Sequence, residues 1–289
     1  MSRDRQRIYR QLIDQALATP RLQDALHSFG DAYVVSRQNA FAGLDFEAMR
    51  TDIAAMKDGV REQRQDLVAE FTRNAEAAGA HVYLAKTAED ANRYIADLAK
   101  NRGVRKLVKS KSMASEETHL NQALEAAGVE TLETDLGEWI IQLAGQRPSH
   151  MVMPAIHMFR DEVAVLFSKV TGRTESDEIE HLVQVAREQL RQGYLEADMG
   201  ISGANMAIAE TGGIALVTNE GNARLATTLP KIHVALVGLE KLVPTLEDAT
   251  KIIRVLPRNA TGQLLTSYVT WIRGAVPCDD VDKELHIVL

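Results

Sequence analysis

The fold is best predicted from residues 200–225, GISGANMAIAETGGIALVTNEGNARL. In this stretch a glycine-rich segment is followed by an apolar run and then by a polar loop. The run GIALVTN (213–219) is bounded by glycine and asparagine, a pattern typical of a buried strand. Before it, Gly200 and Gly203 permit backbone conformations that other residues avoid, and residues 204–210 predict a short helix. Free amide hydrogens at the start of that helix would attract a carboxylate or a phosphate. The stretch therefore predicts a ligand-binding turn beside a buried strand.

Three side chains of this stretch are further candidates for the site. We expect Asn205 and Thr211 to bind the ligand and the carboxylate of Glu210 to act as a catalytic group. The alternative is that Gly200 and Gly203 only let the chain cross tightly near the sheet. A Gly-x-x-Gly spacing alone does not decide between these two interpretations.

Short apolar runs alternate with helical periodicity on both sides of the opening stretch. This pattern predicts an α/β fold in which a mostly parallel sheet is flanked by helices. Strands are predicted at 81–85, 106–110, 129–133, 150–155, 213–219, 232–238 and near 264–272 and 285–289. Helices are predicted at 87–101, 113–127, 137–144, as a pair over 158–193, and at 246–255.

The first part of the chain lacks these strand-like runs. Apolar residues at three- and four-residue spacing predict a helix over 7–18, a bend at 37–44 and a long helix from Asp45 to Gly79. We therefore expect residues 1–78 to form a helical N-terminal segment that packs on an α/β domain of residues 79–289.

Charge and cysteine content exclude several classes of function. With 33 basic and 40 acidic side chains the net charge is −7, which disfavours nucleic acid and anionic membranes as partners. The single cysteine, Cys278, cannot form an internal disulfide or ligate an iron–sulfur cluster or a structural zinc by itself. Neither a signal peptide nor a membrane-spanning apolar run is present, so we expect a cytoplasmic protein.

The polar loop TNEGNARL, 218–225, follows the predicted strand at the edge where ligands collect in open α/β sheets. Asn219 and Asn222 offer hydrogen-bond donors and acceptors, Arg224 can bind a carboxylate through two hydrogen bonds, and Glu220 can act as a base or a nucleophile. The alternative is a polar turn in which Arg224 only neutralises Glu220.

A basic segment, KNRGVRKLVKSKS (100–112), supplies a second loop at the same predicted edge. Lys111 is a candidate for contact with an anion, and Ser112 is a candidate ligand-binding residue that can also cap the next helix. The earlier basic residues of the segment are expected on a solvated surface turn: Lys100, Arg102, Arg105 and Lys106.

The sequence predicts no metal site. His150 and His157 match no standard metal spacing and are expected in the core or beside a site, while His233 lies in an apolar strand and is expected to be structural. Asp135 is expected to cap a helix, with Glu138 three residues later. Signatures of dinucleotide-binding proteins, P-loop NTPases and serine hydrolases are also missing from the sequence.

Four segments together resemble the lactate-utilization protein B family, which carries the LUD domain: KSKSMASEE (109–117), LETDLGEWIIQLAG (132–145), PSHMVMPAIH (148–157) and the stretch from 200 to 245. The resemblance extends from about residue 30 to the end of the sequence. It implies a fold similar to that of five-carbon sugar isomerases and coenzyme A transferases. It also implies a subunit of a complex that oxidises L-lactate to pyruvate, with a small carboxylate and the other subunits as partners.

Members of that family continue into a ferredoxin-like module whose cysteines bind two [4Fe–4S] clusters used in electron transfer. This sequence carries no such cysteine runs, so no cofactor is expected in this chain itself. The apolar ending ELHIVL predicts that the sequence is a piece of a longer protein, and a cluster-free relative is the alternative.

Two other functions are compatible with the sequence. The likeness to coenzyme A transferases implies that Glu220, in NEGN, could form an acyl-glutamate intermediate. In the other alternative the chain is a non-catalytic scaffold whose helical first 78 residues contact partner subunits.

Overall fold

A computed structural model of the chain describes residues 3–275 and 282–289. The helices in these residues are α1 (Arg3–Leu17), α2 (Pro20–Ala40), α3 (Phe46–Glu62), α4 (Arg64–Ala77), α5 (Ala88–Asn101), α6 (Met113–Glu117), α7 (Leu120–Ala126), α8 (Leu136–Ala144), α9 (Arg160–Thr171), α10 (Ile179–Glu196), α11 (Asn222–Thr228) and α12 (Leu246–Thr261). The strands are β1 (His81–Tyr83), β2 (Lys106–Lys109), β3 (Glu130–Glu133), β4 (Met199–Ser202), β5 (Met206–Ile208), β6 (Gly213–Thr218), β7 (Ile232–Leu236), β8 (Leu242–Val243), β9 (Tyr268–Ile272) and β10 (Glu284–Val288).

Six strands form a sheet in the order β1-β10-β7-β4-β2-β3, and every neighbouring pair is parallel. Its central strands β4 and β7 are buried along their whole length, as expected where helices cover both faces of a parallel sheet. The predicted α/β fold with a mostly parallel sheet is confirmed. The LUD resemblance did not specify the strand order.

Apolar side chains that alternate along the strands fill two layers. On one face, Leu107 and Val234 pack with Ile95 of α5 and Leu124 of α7. The other face of the sheet packs against two separate clusters. In the first, Val108 contacts α8, α9 and α10 through Trp139, Phe167 and Val185. In the second, Ala235 packs with Val60 of α3 and with Leu67 and Phe71 of α4. Helices α3 and α4 therefore contribute to the core that holds the sheet.

A smaller sheet, in the order β8-β5-β6-β9, lies against the α3–α4 cluster through β6. Its strand β5 shows that the predicted helix over 204–210 is wrong. Met206, Ala207 and Ile208 are all buried, and they pair with β6 on one side and β8 on the other. Three successive buried side chains need cover on both faces, which a strand inside a sheet receives. The turn to β6 closes at Gly212, whose φ of 66° favours glycine.

Several predicted helix boundaries also changed. The long helix expected from Asp45 to Gly79 is interrupted at Gln63 and becomes α3 and α4. The helix expected over 113–127 is divided at His119, which has a φ of 57°. The predicted bend at 37–44 is confirmed only for residues 41–44, because α2, which was not predicted, extends through Ala40.

The strand predicted over 150–155 is wrong. This segment forms turns and bends, with Met151 66% exposed, and it pairs with no strand among residues 3–275 and 282–289. Its amide groups are satisfied locally, because those of Val152 and Met153 both donate to Nδ1 of His150 at 3.1 Å. An apolar run alone therefore did not make a strand here.

Helix α11 approaches the sheet closely at Gly200 in β4. A Cβ atom at this position would lie 1.7 Å from the carbonyl oxygen of Ala226 in α11. A backbone oxygen cannot move aside as a flexible side chain does, so Gly200 is required for α11 to lie on the sheet. At Gly200, the structure thus agrees with the alternative interpretation, in which the glycine lets the chain cross closely near the sheet.

We predict that Gly200→Ala lowers the free energy of unfolding by ~3 kcal/mol, because overpacking against fixed backbone forces the helix away from the sheet. The matched control is Gly59→Ala in α3, where a Cβ atom meets nothing within 4 Å. We expect that substitution to be neutral or stabilising by up to ~1 kcal/mol, owing to the better helix propensity of alanine. Urea unfolding followed by circular dichroism measures both variants, and equal stabilities would contradict the packing interpretation.

Candidate functional site

A cleft of about 1100 Å³ opens where the parallel strands end. Its walls come from the loops after β2 (Ser110–Ser112), after β4 (Gly203–Asn205) and after β7 (Val237–Gly238), together with Asn219 and Glu220 after β6 of the smaller sheet. Ligands of open α/β proteins collect at this carboxyl edge. The convergence of the loops follows from the parallel arrangement of the strands.

The structure brings seven of the eleven predicted site residues to this cleft: Lys111, Ser112, Gly203, Asn205, Asn219, Glu220 and Asn222. Four others do not line it: Gly200, Glu210, Thr211 and Arg224. The carboxylate of Glu210 accepts a hydrogen bond of 2.9 Å from the amide of Leu246 at the start of α12, and the hydroxyl of Thr211 accepts one of 3.2 Å from the amide of Gly213. Both side chains therefore stabilise turns of the smaller sheet.

Arg224 lies on another side of α11 from Asn222. Its guanidinium stands over the ring of Tyr268, 4.5 Å from the centroid, and no ion pair joins it to Glu220 in the described part of the chain. Two residues along a helix correspond to a rotation of about 200°, so Asn222 and Arg224 face nearly opposite directions. Arg224 thus neither reaches the cleft nor neutralises Glu220.

Asn222 presents an unpaired amide to the cleft. The residue is 8% exposed and lines the cleft, yet its side chain has no hydrogen-bond partner among the described residues. Asn205 keeps only its NH2 group available, because its side-chain oxygen accepts from the amide of Val217 at 2.7 Å. Asn219 is occupied by Gln263 and by the amide of Ser267. The polar atoms of the Asn222 amide stay accessible to solvent, so water satisfies them and a ligand can take the place of that water.

Lys111 and Ser112 hold the opposite wall. The ammonium of Lys111 donates to the carbonyl oxygen of Val152 at 2.9 Å, which ties the irregular 150–155 segment to the cleft. Ser112 caps α6, because its hydroxyl accepts from the amide of Ser115 at 3.3 Å. A Cβ atom at Gly203 would lie 2.9 Å from that hydroxyl oxygen, so glycine lets the two loops meet.

Glu220 and Asp135 form a pair of carboxyl groups in the cleft. The side chain of Glu220 is exposed at the cleft, where partial desolvation and the nearby Asp135 together raise its pKa to about 6, against the opposing charge of Lys111. Asp135 also caps α8 by accepting from the amide of Glu138 at 3.2 Å, which confirms the predicted cap. Its role in the cleft was missed, although its position directly after β3 was the available signal.

The cleft carries no net positive charge. Lys86, Lys111 and Lys241 line it together with four carboxylates, which are Glu117, Asp135, Glu220 and Glu240. An anion would therefore be held by direct contacts with individual donors, since the field of the whole cleft gives it no preference.

Beside the cleft, Lys109 is completely buried at the end of β2. Its ammonium lies 2.6 Å from Glu116, 2.9 Å from Glu133 and 2.9 Å from the hydroxyl of Ser115. Burial lowers the pKa of Lys109, but the two carboxylates outweigh this effect and keep it above its ordinary value. Glu138 makes no ion pair among the described residues, and burial together with Glu133 and Glu116 raises its pKa to about 7 against the opposing charge of Lys111.

The histidines singled out in the sequence have local partners. His157 bonds the side chains of Ser149 and Gln146, each at 2.6 Å, and His150 accepts from the backbone as described above. His233 is buried in β7, 2.7 Å from the hydroxyl of Ser202, and burial lowers its pKa to about 3. A structural role for His233 agrees with these contacts. Cys278 lies outside the described residues.

We predict that Lys109→Met lowers the free energy of unfolding by about 3 kcal/mol at pH 7.5, because it leaves Glu133 buried without a cation. The loss should be smaller at pH 5.5, where Glu133 becomes protonated more easily. Lys106→Met in the same strand is the control, because the ammonium of Lys106 is exposed beside Glu196 and such pairs contribute little. Urea unfolding at both pH values measures the effect, and a similar response of the two variants would contradict it.

Comparison with known proteins identifies the family. The LUD domain matches residues 68–289. Among the helices of the described residues, none combines the length and apolar character needed to cross a membrane. A solved structure of a DUF162 family protein from Deinococcus radiodurans is similar with a TM-score of 0.40 and 15% identity, covering 78% of this chain and 96% of that one.

Three curated relatives illustrate the sequence similarity. Lactate utilization protein B from Shouchella clausii (strain KSM-K16) is 48% identical over 223 residues, which is 76% of this chain and 47% of that protein. Lactate utilization protein B from Lysinibacillus sphaericus (strain C3-41) is 44% identical over 248 residues, 85% of this chain and 52% of that protein. The uncharacterized electron transport protein YkgF from Escherichia coli (strain K12) is 39% identical over 280 residues, 96% of this chain and 59% of that protein. The chain spans about half the length of these relatives. The match over residues 68–289 shows, as the resemblance implied, that the chain belongs to the LUD domain family.

Proposed function

We propose that this chain acts in lactate utilization, as a subunit of a complex that oxidises L-lactate to pyruvate, and that its cleft binds a small carboxylate such as lactate or pyruvate. The names of the lactate utilization protein B relatives support the pathway. Iron–sulfur chemistry is not assigned to these residues, because a [4Fe–4S] cluster takes four cysteine thiolates and the sequence has one cysteine.

The unpaired amide of Asn222 carries the proposal that the cleft binds a ligand. This amide lines the cleft, has no partner among the described residues and stays accessible to solvent, so it is available to contact a polar ligand. Lys111 lines the same cleft, and its ammonium is a strong donor to a carboxylate. The amide of Asn205 adds further donors from the loop after β4. These three groups form the proposed carboxylate contacts.

Glu220 is the proposed acid–base group of the cleft. A pKa of about 6 leaves it mostly ionised near neutral pH and able to accept a proton. In lactate oxidation it would take the hydroxyl proton, while two electrons and the second proton leave for an acceptor in the rest of the complex. Glu210 is not retained in this role, because its carboxylate binds the start of α12.

We predict that the chain binds lactate or pyruvate and that Lys111→Met and Asn222→Ala each weaken binding, Lys111→Met by about tenfold because it removes a charged hydrogen bond. Isothermal titration calorimetry with both carboxylates provides the measurement. Arg224→Met is the matched control, since it removes a cation that lies outside the cleft.

The outcomes of this titration separate the three candidate functions. Binding that responds to Lys111 and Asn222, but not to Arg224, supports the carboxylate site. Absence of heat with either carboxylate would favour the scaffold that only docks partner subunits. If incubation with a thioester followed by hydroxylamine instead yields a glutamyl adduct at Glu220, the acyl-transfer alternative holds.

We further predict that carboxylate binding strengthens about fivefold between pH 7.5 and pH 5.5. Glu220 gains a proton in this range, which removes a negative charge from the cleft while the ligand stays ionised. Glu220→Gln should bind as tightly at pH 7.5 as the unmodified chain binds at pH 5.5. Titrations of both proteins at the two pH values test this, and an unchanged pH dependence in Glu220→Gln would exclude Glu220 as its source.

A further inference from the structure

A second group of ligating side chains lies at the opposite edge of the large sheet. His81 begins β1, and Glu284 and His286 belong to β10, the strand paired with it. His81 and His286 are register partners, and Glu284 precedes His286 by two residues, so all three side chains share one face. One ligating atom from each side chain lies within 4.8 Å of the others. The group is therefore separate from the cleft at the carboxyl edge.

We propose that His81, Glu284 and His286 bind a divalent transition-metal ion, such as Zn²⁺. Two imidazoles and one carboxylate are the donor set found in zinc sites and in other first-row metal sites. This inference does not depend on the proposed lactate function, and the sequence prediction of no metal site considered other histidines.

His286 is held in the orientation that a ligand needs. It is 4% exposed, its Nδ1 lies 2.9 Å from the hydroxyl of Tyr94, and its Nε2 lies 2.9 Å from Glu284. When Nδ1 of a histidine bonds a fixed partner, its Nε2 is directed toward a metal ion, and such supporting contacts tune the affinity of metal sites. Tyr94 thus supplies the supporting contact from α5.

His81 provides the accessible side of the site. Its ring lies 4.6 Å from that of His286, with an angle of 23° between the planes, and its nitrogens have no hydrogen-bond partner among the described residues. A depression of about 460 Å³ adjoins it, lined by His81, Tyr83 and Tyr94 among others. Glu284 and His286 do not line this depression, so His81 alone connects the site to it. Because stacked rings direct their nitrogens in nearly parallel planes, His81 must turn about its side-chain bonds to share an ion with His286. Three protein ligands then leave one position of a tetrahedral ion for water or a small ligand.

Arg102 limits the affinity of this site. Its Nε lies 2.9 Å from one oxygen of Glu284 and its Nη2 lies 3.1 Å from the other. A bound ion would therefore share the Glu284 carboxylate with the Arg102 guanidinium. It would also replace the hydrogen bond that His286 now makes to that carboxylate. We expect weaker binding than in zinc sites closed by four protein ligands.

The test uses the full chain without a histidine tag. We predict that equilibrium dialysis finds one Zn²⁺ per chain, and that His81→Ala and Glu284→Gln each weaken its binding by at least about tenfold. His27→Ala is the control, because His27 is also exposed but belongs to α2. Since His81 is exposed, its replacement should leave the fold intact, and circular dichroism checks this.

Two further readouts make the result decisive. Bound Co²⁺ should show the visible absorption of a four- or five-coordinate ion, and His81→Ala should abolish it. Zn²⁺ should raise the melting temperature of the unmodified chain more than that of His81→Ala, as binding to the folded state requires. If His81→Ala and Glu284→Gln bind Zn²⁺ as the unmodified chain does, or if the unmodified chain binds none, the proposal is overturned.

Discussion

The contact between Gly200 and the carbonyl group of Ala226 is the constraint on which the cleft depends. With no side chain at residue 200, α11 lies directly on β4, and its first residue, Asn222, reaches the ends of the parallel strands. The loop that carries Glu220 comes immediately before α11, so it is placed by the same contact. Gly200 therefore affects the cleft indirectly, because it allows α11 to pack in this position.

Buried charge organises the other wall. Lys109 compensates Glu133 and Glu116 within the protein, so its ammonium is committed to structure, while Lys111, two residues later, lines the cleft. Two lysines close together at the end of β2 therefore have different roles, one in stabilising the fold and one in lining the cleft. Among the acids, Glu133 is paired with a cation although burial still raises its pKa, and Glu138 and Glu220 also have raised pKa values. Removal from water therefore favours the protonated form of all three carboxyl groups.

The sequence predicted the parts of the fold that depend on local pattern. The apolar runs at 213–219 and 232–238 became β6 and β7, because buried strands need such residues. Met206–Ile208 was mistaken for helix because its partners, β8 and β6, are identified only by tertiary pairing. Arg224 was grouped with Asn222 because both belong to the predicted polar loop 218–225, whereas α11 begins at Asn222 and directs the two side chains apart. Asp135 was recognised as a cap, but its second role required knowing that β3 ends beside the loop of Glu220.

In a parallel sheet, all strands have their amino ends on one side and their carboxyl ends on the other, and β10 runs from one side to the other. β10 lies between β1 and β7, so residues far apart in the sequence meet along it, and His286 in its middle pairs with His81. At its carboxyl end, Leu289 lines the cleft. Sequence spacing cannot reveal the histidine group, because the pairing of β1 with β10 crosses almost the whole length of the domain. The same strand therefore contributes to the cleft at its end and brings ligating side chains together along its length.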